Sequence, residues 1–281
     1  MLAIGCARFQ NRLASCDPDR QQGKLFASQG MQAAETGKWH EAQQFLKRAV
    51  EVSPGDAATH RHLAEALWNN GDQQSAITEI NRACQLEPND ARTLLRAGEM
   101  LLATGAAPAA IDRADQVLAL EHCSGEAWAL RGRAHRQLGA AARAQADLER
   151  ALAESPNCAA LMHDLALAYR DAGAGERFLS LAQQLVDQHP RGEQPAELLA
   201  LEGEAYLAVS RVPEAVDTLR LAVNAPNASA DTWCLLSSAE TAAGQPELAL
   251  AAAQQAVAVD GSHPRSRELL AQLSQADGRL R

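Results

Sequence analysis

The chain has 281 residues, 47% apolar but only 4% aromatic, and carries a formal net charge of −9 at pH 7. That acidic balance is against non-specific nucleic-acid binding, which rewards clustered Lys and Arg, and no stretch approaches the roughly 20 consecutive apolar residues of a membrane span. Alanine, the best helix former, is abundant, and no run of alternating β-branched residues suggests a strand, so the chain reads as all-α.

Residues 1–22, MLAIGCARFQNRLASCDPDRQQ, match nothing that follows and are read as an N-terminal non-repeat segment. The opening Leu2-Ala3-Ile4-Gly5-Cys6 resembles the end of a bacterial lipoprotein signal, in which a small residue precedes the acylated cysteine. No basic stretch precedes it, and the apolar run is shorter than the roughly 7–15 residues such signals carry. Two readings stay open. Either the true start lies upstream and Cys6 is lipidated, with residues 7–22 as a tether at the bacterial cell envelope, or this is an ordinary N-terminal helix on a cytoplasmic protein.

From Gly23 onward the chain repeats. Glycine recurs at 37, 71, 105, 139 and 173 in steps of 34, slips by three to Ser210, and resumes at Gly244 and Gly278. Ala42, Ala76, Ala110 and Ala144 keep the same spacing, as do Ala49, Ala83 and Ala151, and Pro54, Pro88, Pro156 and Pro190 close the units, with His122 in the third place. Each unit reads as helix, Gly-containing turn, helix, Pro-containing turn. Glycine accepts the left-handed backbone that ends the first helix, and proline cannot continue the second. Seven units are predicted over residues 23–263, opening at Gly23, Ala57, Ala91, Gly125, Ala159, Ala196 and Ala230. The later ones are looser: Phe178 stands where a small residue is expected, Asn227 and Gly261 replace proline, and Arg191–Pro195 absorbs the slip.

Residues 264–281 complete the chain. Pro264–Ala276 predicts a capping helix whose Leu269, Leu270 and Leu273 cover the last unit, followed by a polar turn, Asp277–Arg281. A fixed period of this length marks an array of stacked supersecondary units, not a single globular core.

Leu63, Ala64, Leu67, Ala76, Ile80, Ala83 and Pro88 in the second unit carry a recognisable pattern, as do Trp128, Gly132, Leu148, Ala151 and Pro156 in the fourth. This pattern resembles the tetratricopeptide repeat. The resemblance implies a right-handed superhelical solenoid of helix-turn-helix units whose first helices line a concave groove. Carried over position by position, that groove takes Met31, Arg61, Glu65, Trp68, Arg92, Leu95, Arg96, Leu102, Arg133, Arg136 and Arg170, with His62, Glu99 and His163 beside them. The arginine forks suit carboxylates, so an acidic ligand is one reading. In the other, the arginines pair with Glu65, Glu99, Asp164 and Asp171. Some relatives clamp chaperone C-termini with Lys, Asn, Asn, Lys and Arg. Here those positions hold Ala27, Met31, His62, Arg92 and Arg96, and only the last two fit. Trp68, flanked by arginine and apolar groups, is the residue expected to act as a binding hot spot.

Nothing points to chemistry. There is no HExxH, nucleophile elbow, P-loop or dinucleotide fingerprint, and the six cysteines show no metal spacing. His60 and His135 fall where the repeat buries side chains. No cofactor or metal is expected. The sequence therefore predicts a non-enzymatic scaffold holding a peptide or protein segment in its groove. Two alternatives are an envelope-tethered adaptor of a secretion, pilus or cell-wall assembly, and a docking or regulatory subunit of a separate enzyme.

Overall fold

The computed structural model describes residues 18–280, and among them there are helices and turns but no strand. The chain divides into two compact units, one through Leu138 and one from Gly139. The first holds α1 (Pro18–Glu35), α2 (Trp39–Val52), α3 (Ala57–Asn69), α4 (Gln73–Leu86), α5 (Ala91–Ala103), α6 (Ala107–Leu120) and α7 (Gly125–Gln137). The second holds α8 (Ala141–Glu154), α9 (Ala159–Asp171), α10 (Gly175–Asp187), α11 (Ala196–Ala208), α12 (Val212–Asn224), α13 (Ala230–Ala242), α14 (Pro246–Val259) and α15 (Pro264–Leu280). It is an all-α helical-repeat fold.

The turns show why the period exists. After α3, Gly71 takes φ +85°, and its amide donates to the Trp68 carbonyl at 3.0 Å while that of Asp72 reaches Leu67 at 3.0 Å. These bonds satisfy carbonyls that the helix end would leave orphaned. Ser210 repeats the geometry without glycine, at φ 61°, its amide donating to Leu207 and that of Arg211 to Tyr206. The slip in the glycine column therefore moves the turn along the chain without changing its form. At the other end of the unit, α4 is closed by the Glu87 amide donating to Ala83 at 2.9 Å, just before Pro88. His122 does proline's work differently: its Nδ1 lies 2.9 Å from the Leu118 carbonyl and caps α6 with a side chain.

Small residues set how closely helices approach. A Cβ on Gly30 would lie 2.6 Å from Leu46 Cγ, and one on Gly203 would lie 2.5 Å from Leu219 Cγ. The same column holds Ala64, Gly98, Gly132 and Ala166, and at Ser237 a fully buried hydroxyl donates to the Ala249 carbonyl at 2.7 Å. In the first unit Ala42, Leu46, Leu63, Leu67 and Ala76 form one core cluster, and Ile80, Leu94, Met100 and Val117 anchor another. The second unit packs around Leu148, Leu165, Phe178 and Leu185, then around Leu199, Val216, Leu219 and Leu236. Phe178 is fully buried although its column is alanine elsewhere.

Three expectations are corrected. Helix α1 begins at Pro18, not at the Gly23 boundary, since proline suits the first turn, where its missing amide is no loss. Helix α15 continues through Leu280 where a polar turn was expected. One interior Gly278 costs only about 1 kcal/mol relative to alanine, and Ala276, Arg279 and Leu280 are strong helix formers. Finally, Trp128 and Trp233, which stand at the large first-helix position that the repeat pattern predicts to be buried, are only half-buried, the first with the Arg131 guanidinium 4.5 Å above its ring. On the cap, Ser266 is fully buried and lies 3.3 Å from the Cys234 sulfur, while Leu269, Leu270 and Leu273 are half-buried.

Candidate functional site

A cleft of 530 Å³ opens in the first unit among α3, α5 and the turn from α6 into α7. Helix α3 contributes Arg61, His62 and Glu65, one face of α5 contributes Ala91, Arg92, Leu95, Arg96 and Glu99, the turn brings Glu121 and Ser124, and the first turn of α7 brings Glu126. The repeat explains the grouping. Residues one period apart on successive first helices fall side by side, so Arg61 and Leu95 share a column, as do His62 and Arg96.

Most of the charge inside this cleft is already matched. Arg61 donates from one Nη to Asp90 Oδ2 at 2.9 Å and to the Thr93 hydroxyl at 3.1 Å. Asp90 also accepts from Thr93 and from the Arg92 amide. Burial opposes its ionisation, but those hydrogen bonds and the Arg61 charge leave its carboxyl below the usual range. Arg96 is held more firmly: Nε and Nη2 fork onto the two Glu65 oxygens at 2.6 and 2.9 Å, and Nη1 reaches Glu99 at 2.9 Å. The Glu65 hydrogen bond raises the Arg96 pKa, and the guanidinium lies 6.0 Å over the Trp68 ring.

Four groups in the cleft have no side-chain partner among the described residues: Arg92, His62, Glu121 and Glu126. Arg92, Glu121 and Glu126 are exposed. His62 is half-buried, and burial together with the Arg61 charge lowers its pKa, so it is neutral at pH 7. Leu95 is half-buried and rests on the α4–α6 core.

The other groove candidates lie elsewhere. Met31 on α1 is 40% exposed and outside the cleft lining. Trp68 is half-buried between two core clusters of the first unit, those of Leu46 and of Ile80, and likewise does not line the cleft. Leu102 packs against Ala107, Ala110 and Ala134, and Arg133 and Arg136 are half-buried on α7. Arg170 belongs to the second unit, where it meets Asp171 at 3.0 Å and Glu204 at 3.4 Å. Arg61, Arg96 and Arg170 therefore each hold carboxylates of this same chain, and the expected row of ligand-facing arginines reduces within the cleft to Arg92. Cys6 lies outside the described residues.

His60 is buried at 5% exposure, with Nδ1 2.6 Å from Glu79 and Nε2 3.1 Å from the Pro54 carbonyl. It ties α3 to α4 and to the preceding turn, which is a structural role. Among the described residues no group of His, Cys, Asp and Glu could hold a metal ion, and no helix is long and apolar enough to cross a membrane.

Sequence reasoning missed a second concavity. In the second unit, a recess of 890 Å³ lies between Arg191–Glu197 and the end of α12, including Leu221, Asn224 and Pro226. Leu221 is 62% exposed there. The sequence signal at this place is the three-residue slip at Arg191–Pro195, whose residues line the recess.

A family profile described as tetratricopeptide repeat matches residues 28–91 and 129–193. Among solved structures, a tetratricopeptide repeat protein from Parabacteroides merdae is similar with TM-score 0.73 at 17% identity, covering 90% of this chain and 99% of that one. PilW, described as a type IV pilus biogenesis factor, aligns with TM-score 0.65 at 16% identity over 76% of this chain and 98% of its own. YrrB, described as having an unusual peptide-binding site, aligns with TM-score 0.53 at 16% identity over 67% and 96%. At these identities the likeness is one of fold. No curated protein matches the chain.

Proposed function

We propose, from the premise that this chain is built from tetratricopeptide repeats, that it is an interaction scaffold holding a peptide or protein segment in the cleft of its first unit. Proteins with these repeats are in general non-enzymatic binders of peptides and proteins, and we assign this chain no reaction. One observation carries the reading. The cleft combines an apolar floor at Leu95 with four polar side chains that have no side-chain partner among the described residues: His62, Arg92 and Glu126 on first helices, and Glu121 in the turn before α7. A site needs groups of this kind, because recognition comes from a few convergent polar contacts around an apolar anchor.

The test is to capture the full chain from its native source, identify a copurifying protein by mass spectrometry, and titrate that protein calorimetrically. Leu95→Asp is expected to weaken binding at least tenfold while circular dichroism stays helical, and the exposed α4 variant Arg82→Ala should leave it unchanged. Equal affinity for all three proteins would place the ligand elsewhere. Trp68→Ala separates two roles. A loss of about 2 kcal/mol in affinity with the fold intact makes Trp68 a ligand contact; a loss of stability alone makes it the wall that positions Arg96.

The envelope-adaptor alternative keeps Cys6 as its ground. Intact-mass measurement of natively expressed protein tests it: chain beginning at an acylated Cys6 would support that location, and an unmodified N-terminus would remove it.

A further inference from the structure

Net charge bookkeeping misleads at this cleft, because most of its charges are matched internally. Arg61 with Asp90, and Arg96 with Glu65 and Glu99, are closed ion pairs within the fold. To expose the Arg96 guanidinium, a ligand would have to displace the Glu65 carboxylate forked onto it at 2.6 and 2.9 Å, and to expose Arg61 it would have to displace Asp90, held at 2.9 Å. That exchange gains little, since one charge-assisted pair replaces another. The charges left to recognise a partner are Arg92 on α5, Glu121 in the turn leading into α7, and Glu126 in the first turn of α7. Their types differ by side: one cation on the α5 side, two carboxylates on the turn side.

We propose that the cleft selects a peptide segment of mixed charge, with an acidic group against Arg92 and one or two basic side chains against Glu121 and Glu126, seated over Leu95. The inference rests on the reading of this cleft as the peptide site and narrows its ligand. It differs from the acidic ligand that a count of groove arginines suggests, because only one of the arginines lining the cleft is open. The half-buried His62 lies among these groups with no bond of its own and, neutral at pH 7, supplies a hydrogen bond without adding a second cation. Selectivity here is electrostatic and partly exposed, so it sets partner choice and salt dependence more than raw affinity.

The experiment is selection from a random twelve-residue peptide display library on the immobilised full chain. It is run in parallel on Arg92→Glu and on the double variant Glu121→Lys/Glu126→Lys. Wild type is expected to enrich peptides carrying basic residues together with an acidic one. Arg92→Glu should lose the acidic position, and the double variant should lose the basic ones. Synthetic copies of the enriched peptides should bind each reversed variant about tenfold more weakly, an effect of a few exposed ion pairs, and binding should fall as NaCl rises. Uniformly acidic winners, or winners whose charge pattern ignores both reversals while Leu95→Asp still abolishes binding, would overturn the mixed-charge proposal and leave the cleft as a peptide site. Winners indifferent to Leu95→Asp as well, or no enrichment on any of the three proteins, would overturn the cleft reading itself.

Discussion

The two concavities of this chain sit in different settings. The cleft of the first unit is made by regularity: columns at the repeat period place Arg61, Arg92, Leu95 and Arg96 on one face, and ion pairs between successive helices stiffen it. The recess of the second unit lies where the period breaks. Arg191–Pro195, where the repeat gains three residues, line it together with the start of α11 and the exposed Leu221 near the end of α12. A repeat that keeps its period tends to satisfy its own side chains, because each helix presents partners to the next. Where the period breaks, space and apolar surface remain.

The same contrast runs through the cores and gives the largest expected effect. The column of Ala42, Ala76 and Ala110 is fully buried and small, and in the second unit it continues as Ala144, Ala215 and Ala249 except at Phe178, which is just as buried. The neighbours of Phe178, including Ala144, Ala166, Ala182 and Ala205, are small enough to admit a ring. Phe178→Ala should therefore cost about 3–5 kcal/mol through the cavity it leaves, measured by urea denaturation. Ala76→Phe, the converse change in the first unit, should cost about 1–3 kcal/mol by overpacking. If Ala76→Phe proves neutral, the first unit has slack that its zero exposure does not show, and the distinction between the units fails.

A smaller effect tests the ion pairs. Glu65 and Arg96 are each about one-third exposed, at 33% and 31%, and form a two-bond fork. Glu65→Gln should cost about 1 kcal/mol, the upper end for pairs that retain some solvent. Arg170→Ala in the second unit should cost less, its contact to Glu204 being a single bond at 3.4 Å. Equal losses would mean that the fork adds nothing beyond proximity. Asp90 gives the matching acid dependence. Its carboxyl is depressed in the fold, so the stability it contributes is present above the ordinary value of about 3.9 and is lost as pH falls through the depressed one. The stability gap between wild type and Asp90→Asn should be under about 1 kcal/mol near pH 6 and close below about pH 4. A gap that persists at pH 2 would assign the effect to the Thr93 hydrogen bond alone.

These tests also mark what a sequence can show. Helix starts at Ala57, Ala91, Gly125, Ala159, Ala196 and Ala230 follow from a 34-residue period because turn glycines and helix-ending prolines act locally, within one or two residues. The side of α3 and α5 that carries Arg61, Glu65, Arg92 and Arg96 follows from the same period. Which of those charges stay open does not. The partner of Arg61 is Asp90, a turn residue 29 positions on, and that of Arg170 is Glu204, 34 on; only the stacking distance between helices decides such pairs. Trp68 shows the same limit. Its register places it on the first-helix face, but the width of an indole carries it into both neighbouring clusters. Ser237 and Ser266 were unreadable for a different reason: each is a polar residue buried because one specific acceptor or sulfur lies within reach.

The smallest effect lies at the turn where the glycine column breaks. Ser210 holds φ 61° in the place that Gly71 takes at φ 85°, with matching amide bonds back to the preceding helix. A residue with a Cβ in the left-handed region carries a penalty of about 1–2 kcal/mol, and glycine removes it at the expense of extra freedom in the unfolded chain. The two partly cancel, so Ser210→Gly should raise stability by about 0.5–1 kcal/mol. Gly71→Ala in the first unit should lower it by about 1 kcal/mol, since it introduces the same strain and nothing lies within 4 Å of the added Cβ to clash with it. Paired thermal melts of these two variants would isolate backbone strain from packing. Opposite shifts of similar size would show that the slip changes only the position of the turn. A destabilised Ser210→Gly would instead mean that the serine side chain holds the displaced turn in place, and the second unit's irregularity would then be built into its sequence at that residue.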